Sequence, residues 1–191
     1  MELVSEALIF AAKAHDGMRR RRESGPYILH PVEAAAIVGS LTDNPEVIAA
    51  AFLHDVVEDA GISLQEIEER FGKRVAELVA AETENKREEL PPEETWLIRK
   101  EEAIRDLKQA TDVDVKILYL GDKLSNIRSV YRGWRKDGDA VWRDFNQADP
   151  AKQAWYYRSI AEYTRELADT LPWQEYNELV QIIFAEVPTH E

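Results

Sequence analysis

The chain has 191 residues, of which 45% are hydrophobic and 32% are charged, and it contains no cysteine. This length suits one domain with its own core, and the lack of cysteine excludes disulfides and thiolate metal sites. The net charge of −13 argues against non-specific binding to nucleic acid or anionic lipid. We therefore expect a single globular domain over residues 1–191 that binds neither nucleic acid nor membrane.

The amino-terminal segment does not resemble a targeting signal. Acidic Glu2 and Glu6 occupy the place where a signal peptide carries basic residues. No apolar run approaches the length that a membrane span needs. We therefore expect a cytoplasmic protein, and the sequence does not decide between a monomer and a homo-oligomer.

The hydrophobic pattern follows the helical period along most of the chain. The one β-like run, residues 113–120, continues into a helical pattern without a turn, so we predict an all-α fold of about eight to ten helices with no substantial sheet. Ser63 has the spacing of a capping box, and Pro31 is expected at the first position of its helix. The predicted helices cover about residues 3–14, 31–41, 46–59, 64–71, 73–84, 93–110, 113–131, 150–171 and 172–185.

A cluster of ionisable residues interrupts the apolar third helix. On a continuous helix His54 and Glu58 would share one face, while Asp55 and Asp59 would share the adjacent face. Burying these groups together is costly unless they pair or hold a cation, and imidazole with carboxylates suits a divalent transition metal. An isolated His-Asp dipeptide is more often a buried histidine beside a salt-bridged carboxylate. The surrounding residues must therefore decide between this structural role and a metal site.

Two further segments carry candidate ligands. His30 precedes Pro31, just before a predicted helix, from where its ring can be aimed inward. Asp122 and Asn126 are one helical turn apart and project together. Taken alone, His30 would be a turn histidine bonded to the backbone, and Asp122 would be a helix cap or a surface charge.

His30, His54-Asp55 and Asp122 match, in that order, the ligand signature of HD-domain phosphohydrolases. The flanking segments resemble the RelA/SpoT hydrolase domain, and most closely the stand-alone small alarmone hydrolases. The resemblance spans about residues 5–131, and the helices of residues 137–186 would complete the HD-domain bundle. The segments that carry the resemblance are residues 14–17, 26–31, 49–59, 71–75 and 121–128.

The resemblance implies an activity and the residues responsible for it. Such enzymes use one divalent metal, Mn²⁺, to remove the 3′-pyrophosphate of ppGpp or pppGpp, giving GDP or GTP and pyrophosphate. The metal ligands would be His30, His54, Asp55 and Asp122. Glu58 and Asp59 would position and deprotonate the attacking water, and Asn126 would orient the substrate or that water.

The resemblance places substrate contacts in a run of four arginines, Arg19 to Arg22, within which Arg20 and Arg21 correspond to the family's basic pair. Guanidinium groups bind phosphate oxygens at two points, and an acidic protein needs such a local patch to admit an anionic substrate. Further candidate contacts are Lys123, Arg128, Arg99, Lys100, Tyr156 and Arg158. Taken alone, such lysines and arginines are usually surface cations, and such a tyrosine usually packs in the core.

Other functions remain compatible with the pattern. An HD phosphatase or pyrophosphohydrolase could act on another phosphorylated nucleotide, such as ppApp, NADPH or a nucleoside monophosphate. A non-catalytic nucleotide-binding module would be expected to lack Glu58 or Asp59, and both are present. The sequence differs from the family pattern at Met18, Ala60 and Gly121, where the family usually has glutamine, threonine and alanine.

Overall fold

The computed structural model describes residues 2–20, 25–87 and 89–188. Over these ranges the chain forms ten α-helices and two short 3₁₀ helices, and its single β pairing is an isolated bridge between Arg19 and Pro26. The predicted all-α fold is therefore confirmed. The α-helices are α1 (Leu3–Ala14), α2 (Leu29–Gly39), α3 (Pro45–Leu53), α4 (Val56–Ala60), α5 (Leu64–Phe71), α6 (Lys73–Glu82), α7 (Pro92–Gln109), α8 (Val113–Asp137), α9 (Pro150–Tyr163) and α10 (Leu171–Ile183).

The long helix α8 forms the centre of the bundle. It packs against α2, α3, α6 and α10, and much of its surface between Ile117 and Val130 is buried. Local signals fix where several neighbouring helices begin: the side chain of Asn44 accepts a hydrogen bond from the Glu46 N–H at the start of α3. Ser63 caps α5 as predicted, because its Oγ accepts from the Glu66 N–H at 3.1 Å. None of the described helices has the length and apolar character needed to cross a membrane.

The predicted helix over residues 46–59 is divided in two. α3 ends at Leu53 and α4 begins at Val56, with His54 and Asp55 between them. The His54 ring supplies the physical reason, because its Nδ1 donates to the Ala51 carbonyl oxygen at 2.8 Å. A continuous helix would need that carbonyl for the Asp55 N–H. The side chain thus competes with the backbone for this acceptor, and the helix is interrupted at the His-Asp pair although both residues keep αR dihedral angles.

Other predicted boundaries were also wrong, and α8 extends to Asp137 rather than ending near residue 131. α2 begins at Leu29, so His30 lies in its first turn rather than before it, and Pro31 is the third helical residue. Proline is tolerated there because the N–H groups of the first turn have no helical acceptor. The helix predicted to end at residue 171 stops at Tyr163, and a 3₁₀ turn, Arg165–Leu167, leads on to α10.

Gly121 permits the close approach of α2 and α8. A Cβ atom at this position would lie 2.5 Å from Cγ2 of Val38 and 3.1 Å from the carbonyl oxygen of Ala34. Val38 is fully buried, and a β-branched side chain has little rotamer freedom in a helix. Glycine at this position therefore brings Asp122, the next residue, close to the α2 residue His30.

We predict that Gly121→Ala lowers the free energy of unfolding by about 1–2 kcal/mol, because overpacking outweighs the gain in helix propensity. Urea denaturation measures this change. Gly39→Ala is the matched control, since its Cβ would meet only Ile48 Cδ1 at an ordinary 3.8 Å. Adding Val38→Ala to Gly121→Ala should recover part of the loss, and strict additivity of the two destabilising changes would contradict the predicted clash.

Candidate metal centre and active site

Four side-chain donor atoms converge where α2, α8 and the α3–α4 junction meet. The Nε2 atoms of His30 and His54 are 3.2 Å apart. Oδ1 of Asp122 lies 3.0 Å from the first and 3.4 Å from the second, and Oδ2 of Asp55 lies 3.4 Å and 3.1 Å from them. The four residues proposed as ligands from the sequence are thus brought together.

Hydrogen bonds fix the tautomer of both histidines. Nδ1 of His54 faces the Ala51 carbonyl oxygen, which can only accept, so this nitrogen carries the proton. Nδ1 of His30 lies 2.9 Å from Oγ of Ser125, and that hydroxyl donates to Glu33 at 2.8 Å. The Ser125 hydroxyl proton is therefore directed to Glu33, and His30 Nδ1 must donate. In each neutral imidazole the lone pair of Nε2 then points into the cluster.

The electrostatics of the cluster favour a positive charge between these donors. Burial disfavours charge on His54, but the carboxylates of Asp55 and Asp122 outweigh it and raise the pKa of His54 well above its ordinary value. Burial also opposes ionisation of Asp55, yet His54 and His30 hold its pKa well below the usual range. A proton or a metal cation can supply that positive charge.

The donor set fits a divalent transition metal. Bonds of about 2.0–2.2 Å to nitrogen and oxygen place neighbouring ligands roughly 2.8–3.6 Å apart, and the observed separations of 3.0–3.4 Å lie in this interval. His30, His54 and Asp122 are buried, and the second nitrogen of each imidazole is hydrogen-bonded, as is usual for metal-binding histidines. The donor atoms of His30, His54 and Asp122 lie within 4.8 Å of one another and could hold one ion, and Asp55, which contacts both imidazoles, is the fourth residue of the predicted ligand set.

Polar neighbours orient the two carboxylates. The Tyr27 hydroxyl donates to Oδ2 of Asp55 at 2.7 Å, and the Asn126 amide donates to Oδ1 of Asp122 at 2.6 Å. The Lys123 ammonium forms a short ion pair with Oδ2 of Asp122. Both ligand carboxylates are therefore held by hydrogen bonds from residues that flank the ligands in sequence.

Lys123, a predicted substrate contact, is engaged with protein carboxylates. Besides Asp122, its Nζ lies 2.8 Å from Oε1 of Glu82, and both side chains are largely buried. Burial raises the pKa of Glu82 to about 8, against the opposing effect of Lys123. Lys123 thus lines the metal pocket with its ammonium paired to two protein carboxylates.

Glu58 and Asp59 lie beside the cluster on α4. Oε1 of Glu58 accepts from the Glu84 N–H at 2.7 Å, and Nζ of Lys86 contacts Oδ1 of Asp59 at 2.6 Å and the Glu58 carbonyl oxygen at 2.8 Å. Burial is the main cause that raises the pKa of Glu58. Glu58 also lines a small pocket of about 170 Å³ together with His30, Asp55 and Asp122, whereas Asp59 pairs with Lys86 further out.

A larger cleft adjoins this pocket. Its volume is about 1020 Å³, the upper end of what small-molecule sites offer, and it runs along α8 away from Asp122. Apolar and aromatic side chains line part of it, among them Leu29, Trp96, Val130, Phe145 and Tyr157. Three residues, Arg99, Lys100 and Asn126, line both volumes, so the cleft and the metal pocket are contiguous.

The remaining predicted substrate contacts do not all lie at the cleft. Arg20 lines the cleft and donates to the Asn126 side-chain oxygen in a short hydrogen bond. Arg128 is bidentate to Glu175 at 2.6 and 2.5 Å and also bonds Glu33 at 3.0 Å, so it ties α10 to α2. Arg21 lies outside the described residues.

The two candidates on α9 lie away from the reaction centre. Tyr156 is buried in the core beneath Lys100, whose Nζ is 4.8 Å from the centre of its ring. Arg158 donates to the carbonyl oxygens of Phe184, Val187 and Pro188 and thereby closes the carboxyl end of α10. Neither side chain lines the metal pocket or the adjoining cleft.

Sequence reasoning missed Tyr27, Ser125 and Lys86 as site residues. Tyr27 and Ser125 stand in the very segments that carry His30 and Asp122, so adjacency to a ligand was the available signal. Lys86 carried no such signal, because it lies in an irregular segment far along the chain from Asp59 and reaches it only in the folded structure.

We predict that Ser125→Ala weakens Mn²⁺ binding by about 10–100-fold, because His30 Nδ1–H loses the acceptor that fixes the ring. Isothermal titration of the metal-free protein measures the dissociation constant. Ser129→Ala, one turn further along α8 and outside the ligand cluster, is the matched control. An unchanged metal affinity in Ser125→Ala would show that the hydroxyl does not orient the ligand.

Comparison with known proteins identifies the family of this chain. The family described as HD domain matches residues 7–148. A Xenopus tropicalis protein named guanosine-3′,5′-bis(diphosphate) 3′-pyrophosphohydrolase MESH1 is 39% identical over 140 residues, which cover 69% of this chain and 74% of that protein. An Aquifex aeolicus protein named guanosine-3′,5′-bis(diphosphate) 3′-pyrophosphohydrolase is 36% identical over 130 residues.

The share of each relative that aligns with this chain differs. The aligned region covers only 18% of the Aquifex protein and 17% of a similar Synechocystis protein. A solved structure of a metazoan SpoT ortholog, described as hydrolysing ppGpp, superposes with a TM-score of 0.74 at 26% identity and covers 97% of this chain and 96% of that one. The profile match, the relatives and the shared fold together establish that this chain belongs to the HD domain family.

Proposed function

We propose that this protein is a metal-dependent 3′-pyrophosphohydrolase of ppGpp and pppGpp, releasing pyrophosphate and leaving GDP or GTP. The observation that carries the proposal is the contact between the four-donor cluster and a cleft of nucleotide size. The names of the Xenopus and Aquifex relatives and the description of the metazoan structure support this substrate class. Arg20, which lines the cleft and bonds Asn126, would attract the anionic nucleotide.

The metal proposed for the site is Mn²⁺. Two imidazole nitrogens and two carboxylate oxygens form a mixed donor set that suits borderline and hard divalent ions, and the chain has no cysteine to favour softer ones. A divalent cation held there would supply Lewis-acid polarisation of a phosphoryl oxygen and would acidify nearby water. Every remaining step falls to side chains of the protein.

In the proposed reaction, water attacks the phosphorus bonded to the ribose 3′-oxygen. The new P–O bond forms as the bond from phosphorus to the 3′-oxygen breaks, and that oxygen leaves with the nucleoside and takes up a proton. Glu58 is the proposed proton acceptor, because it lines the metal pocket and its raised pKa makes it a stronger base than an ordinary carboxylate. Asn126 would orient the reacting group from its position against Asp122.

Asp59 is proposed to support Glu58. Both carboxylates contact Lys86, whose Nζ lies 2.6 Å from Asp59 and 3.5 Å from Oε2 of Glu58. The ammonium favours the ionised form of Glu58, which opposes the effect of burial. Loss of Asp59 would therefore redirect Lys86 and alter both the position and the basicity of Glu58.

Identification of the products tests this proposal. Purified protein incubated with ppGpp and Mn²⁺ is expected to release GDP and pyrophosphate, and a chelator should abolish the release. Orthophosphate in place of pyrophosphate would indicate a phosphatase. An absence of turnover with metal demonstrably bound would contradict the proposed substrate, and ppApp and NADPH would then be assayed.

We predict that Glu58→Gln and Asp59→Asn retain Mn²⁺ but lower kcat, by about 10²–10⁴-fold for Glu58→Gln as expected for a missing general base. In the wild type, activity should fall as the pH drops through the raised pKa of Glu58, because a base acts only when deprotonated. Glu77→Gln removes an exposed carboxylate that pairs with Lys73 and serves as the control. Near-normal turnover in both variants would overturn the assignment of the proton acceptor.

A further inference from the structure

Two cations of α7 form the wall between the metal pocket and the cleft. Arg99 and Lys100 line both volumes. Only 10% of the Arg99 side chain and 17% of the Lys100 side chain are exposed. Withdrawing two positive charges from water to this extent is costly unless they are paired or meet an anion. Their location is thus a specific feature of the fold and not a chance placement of surface residues.

A single carboxylate holds both cations. Oε2 of Glu84 lies 2.7 Å from Nη1 of Arg99, and its Oε1 lies 2.5 Å from Nζ of Lys100. Burial opposes ionisation of Glu84, but Lys100 and Arg99 outweigh it and lower the pKa of this carboxyl. One negative charge against two positive charges leaves an excess positive charge at the wall.

The two cations also retain hydrogen-bonding capacity. A guanidinium has five N–H donors and an ammonium has three. Within the described part of the chain, Arg99 bonds Glu84 through Nη1 and Thr95 Oγ1 through Nε at 3.3 Å. Lys100 bonds Glu84 through one N–H and lies over the ring of Tyr156. The donors not used in these bonds can serve an anion in the pocket.

We infer that Arg99 and Lys100, held by Glu84, form the subsite for the outer phosphate of the 3′-pyrophosphate group. This inference rests on the proposed function. With the inner phosphorus at the metal cluster, the outer phosphate must lie in or beside the small pocket. Its lining in the described chain includes one other cation, Lys123, which is engaged with Glu82 and Asp122.

The subsite would make the enzyme selective for a pyrophosphoryl group. A 3′-monophosphate would reach the metal cluster but would leave Arg99 and Lys100 without their anion. Charge-assisted hydrogen bonds are worth about 1.5–3 kcal/mol each, which corresponds to roughly tenfold or more in affinity. The same residues would bind the free pyrophosphate product.

Equilibrium dialysis of labelled inorganic pyrophosphate against Mn²⁺-loaded protein, at fixed free Mn²⁺, tests the inference without relying on turnover. Arg99→Gln and Lys100→Met should each weaken pyrophosphate binding about tenfold or more while leaving GDP binding within about twofold. Arg105→Gln, an exposed cation of the same helix paired with Asp106, should bind both as the wild type does. Arg99→Lys keeps the charge beside Glu84 and should recover part of the affinity.

Wild-type affinity for pyrophosphate in both Arg99→Gln and Lys100→Met would overturn the inference, as would an equal loss of GDP binding. If either variant unfolds, Arg99→Lys and Lys100→Arg provide the comparison, because each retains the charge while changing the donor geometry. Failure of the wild type to release pyrophosphate from ppGpp would refute the proposed function separately, since dialysis measures the subsite alone.

Discussion

Two imidazole nitrogens face each other across 3.2 Å in the middle of an apolar helical bundle, with a carboxylate oxygen on each side. Both lone pairs point inward because Ala51 and Ser125 take the protons of the opposite ring nitrogens. This arrangement concentrates negative potential in a largely buried cluster that opens onto the small pocket, so a proton or metal cation between the donors is favourable. Much of the surrounding structure serves to hold these four donors.

The fold meets this constraint through unusual local structure. The bond from His54 to the Ala51 carbonyl divides one helix into α3 and α4. At this break the Asp55 carboxylate contacts the His54 ring, with Oδ2 at 3.1 Å from Nε2. Gly121 brings α8 close to α2, so that Asp122 reaches His30. The ion pairs of Arg128 with Glu33 and Glu175 extend the same support to α10. The carboxyl-terminal helix is thereby linked, through Ser125, to a ligand.

Much of this organisation could be predicted from the sequence. Helical periodicity and the capping signal at Ser63 gave the all-α fold, and the His-Asp pair with His30 and Asp122 predicted a cluster that the structure assembles. The break at residue 54 could not be predicted, because periodicity does not show a side chain competing for a backbone carbonyl. Lys123 and Arg158 were predicted as substrate contacts. The sequence does not show that a buried carboxylate binds Lys123 or that carbonyl oxygens at the end of a helix bind Arg158.

The distribution of charge also affects how an anionic substrate could bind. A protein of net charge −13 would repel a polyphosphate substrate, and the cations that line the adjoining cleft, among them Arg20, Arg99 and Lys100, oppose this repulsion locally. Glu84 concentrates two of them at the junction with the cleft, and Lys86 from the same segment contacts the proposed acid–base pair. The segment between α6 and α7 thus connects the proton acceptor with the proposed phosphate subsite.

Titration of the metal-free protein with Mn²⁺, followed by calorimetry and by the midpoint of thermal unfolding, tests the central claim most directly. The account predicts one ion per chain and a Tm that rises with metal concentration, both lost in Asp55→Ala. Absence of stoichiometric binding in the wild type, or equally tight binding in Asp55→Ala, would contradict a metal site built from these four donors.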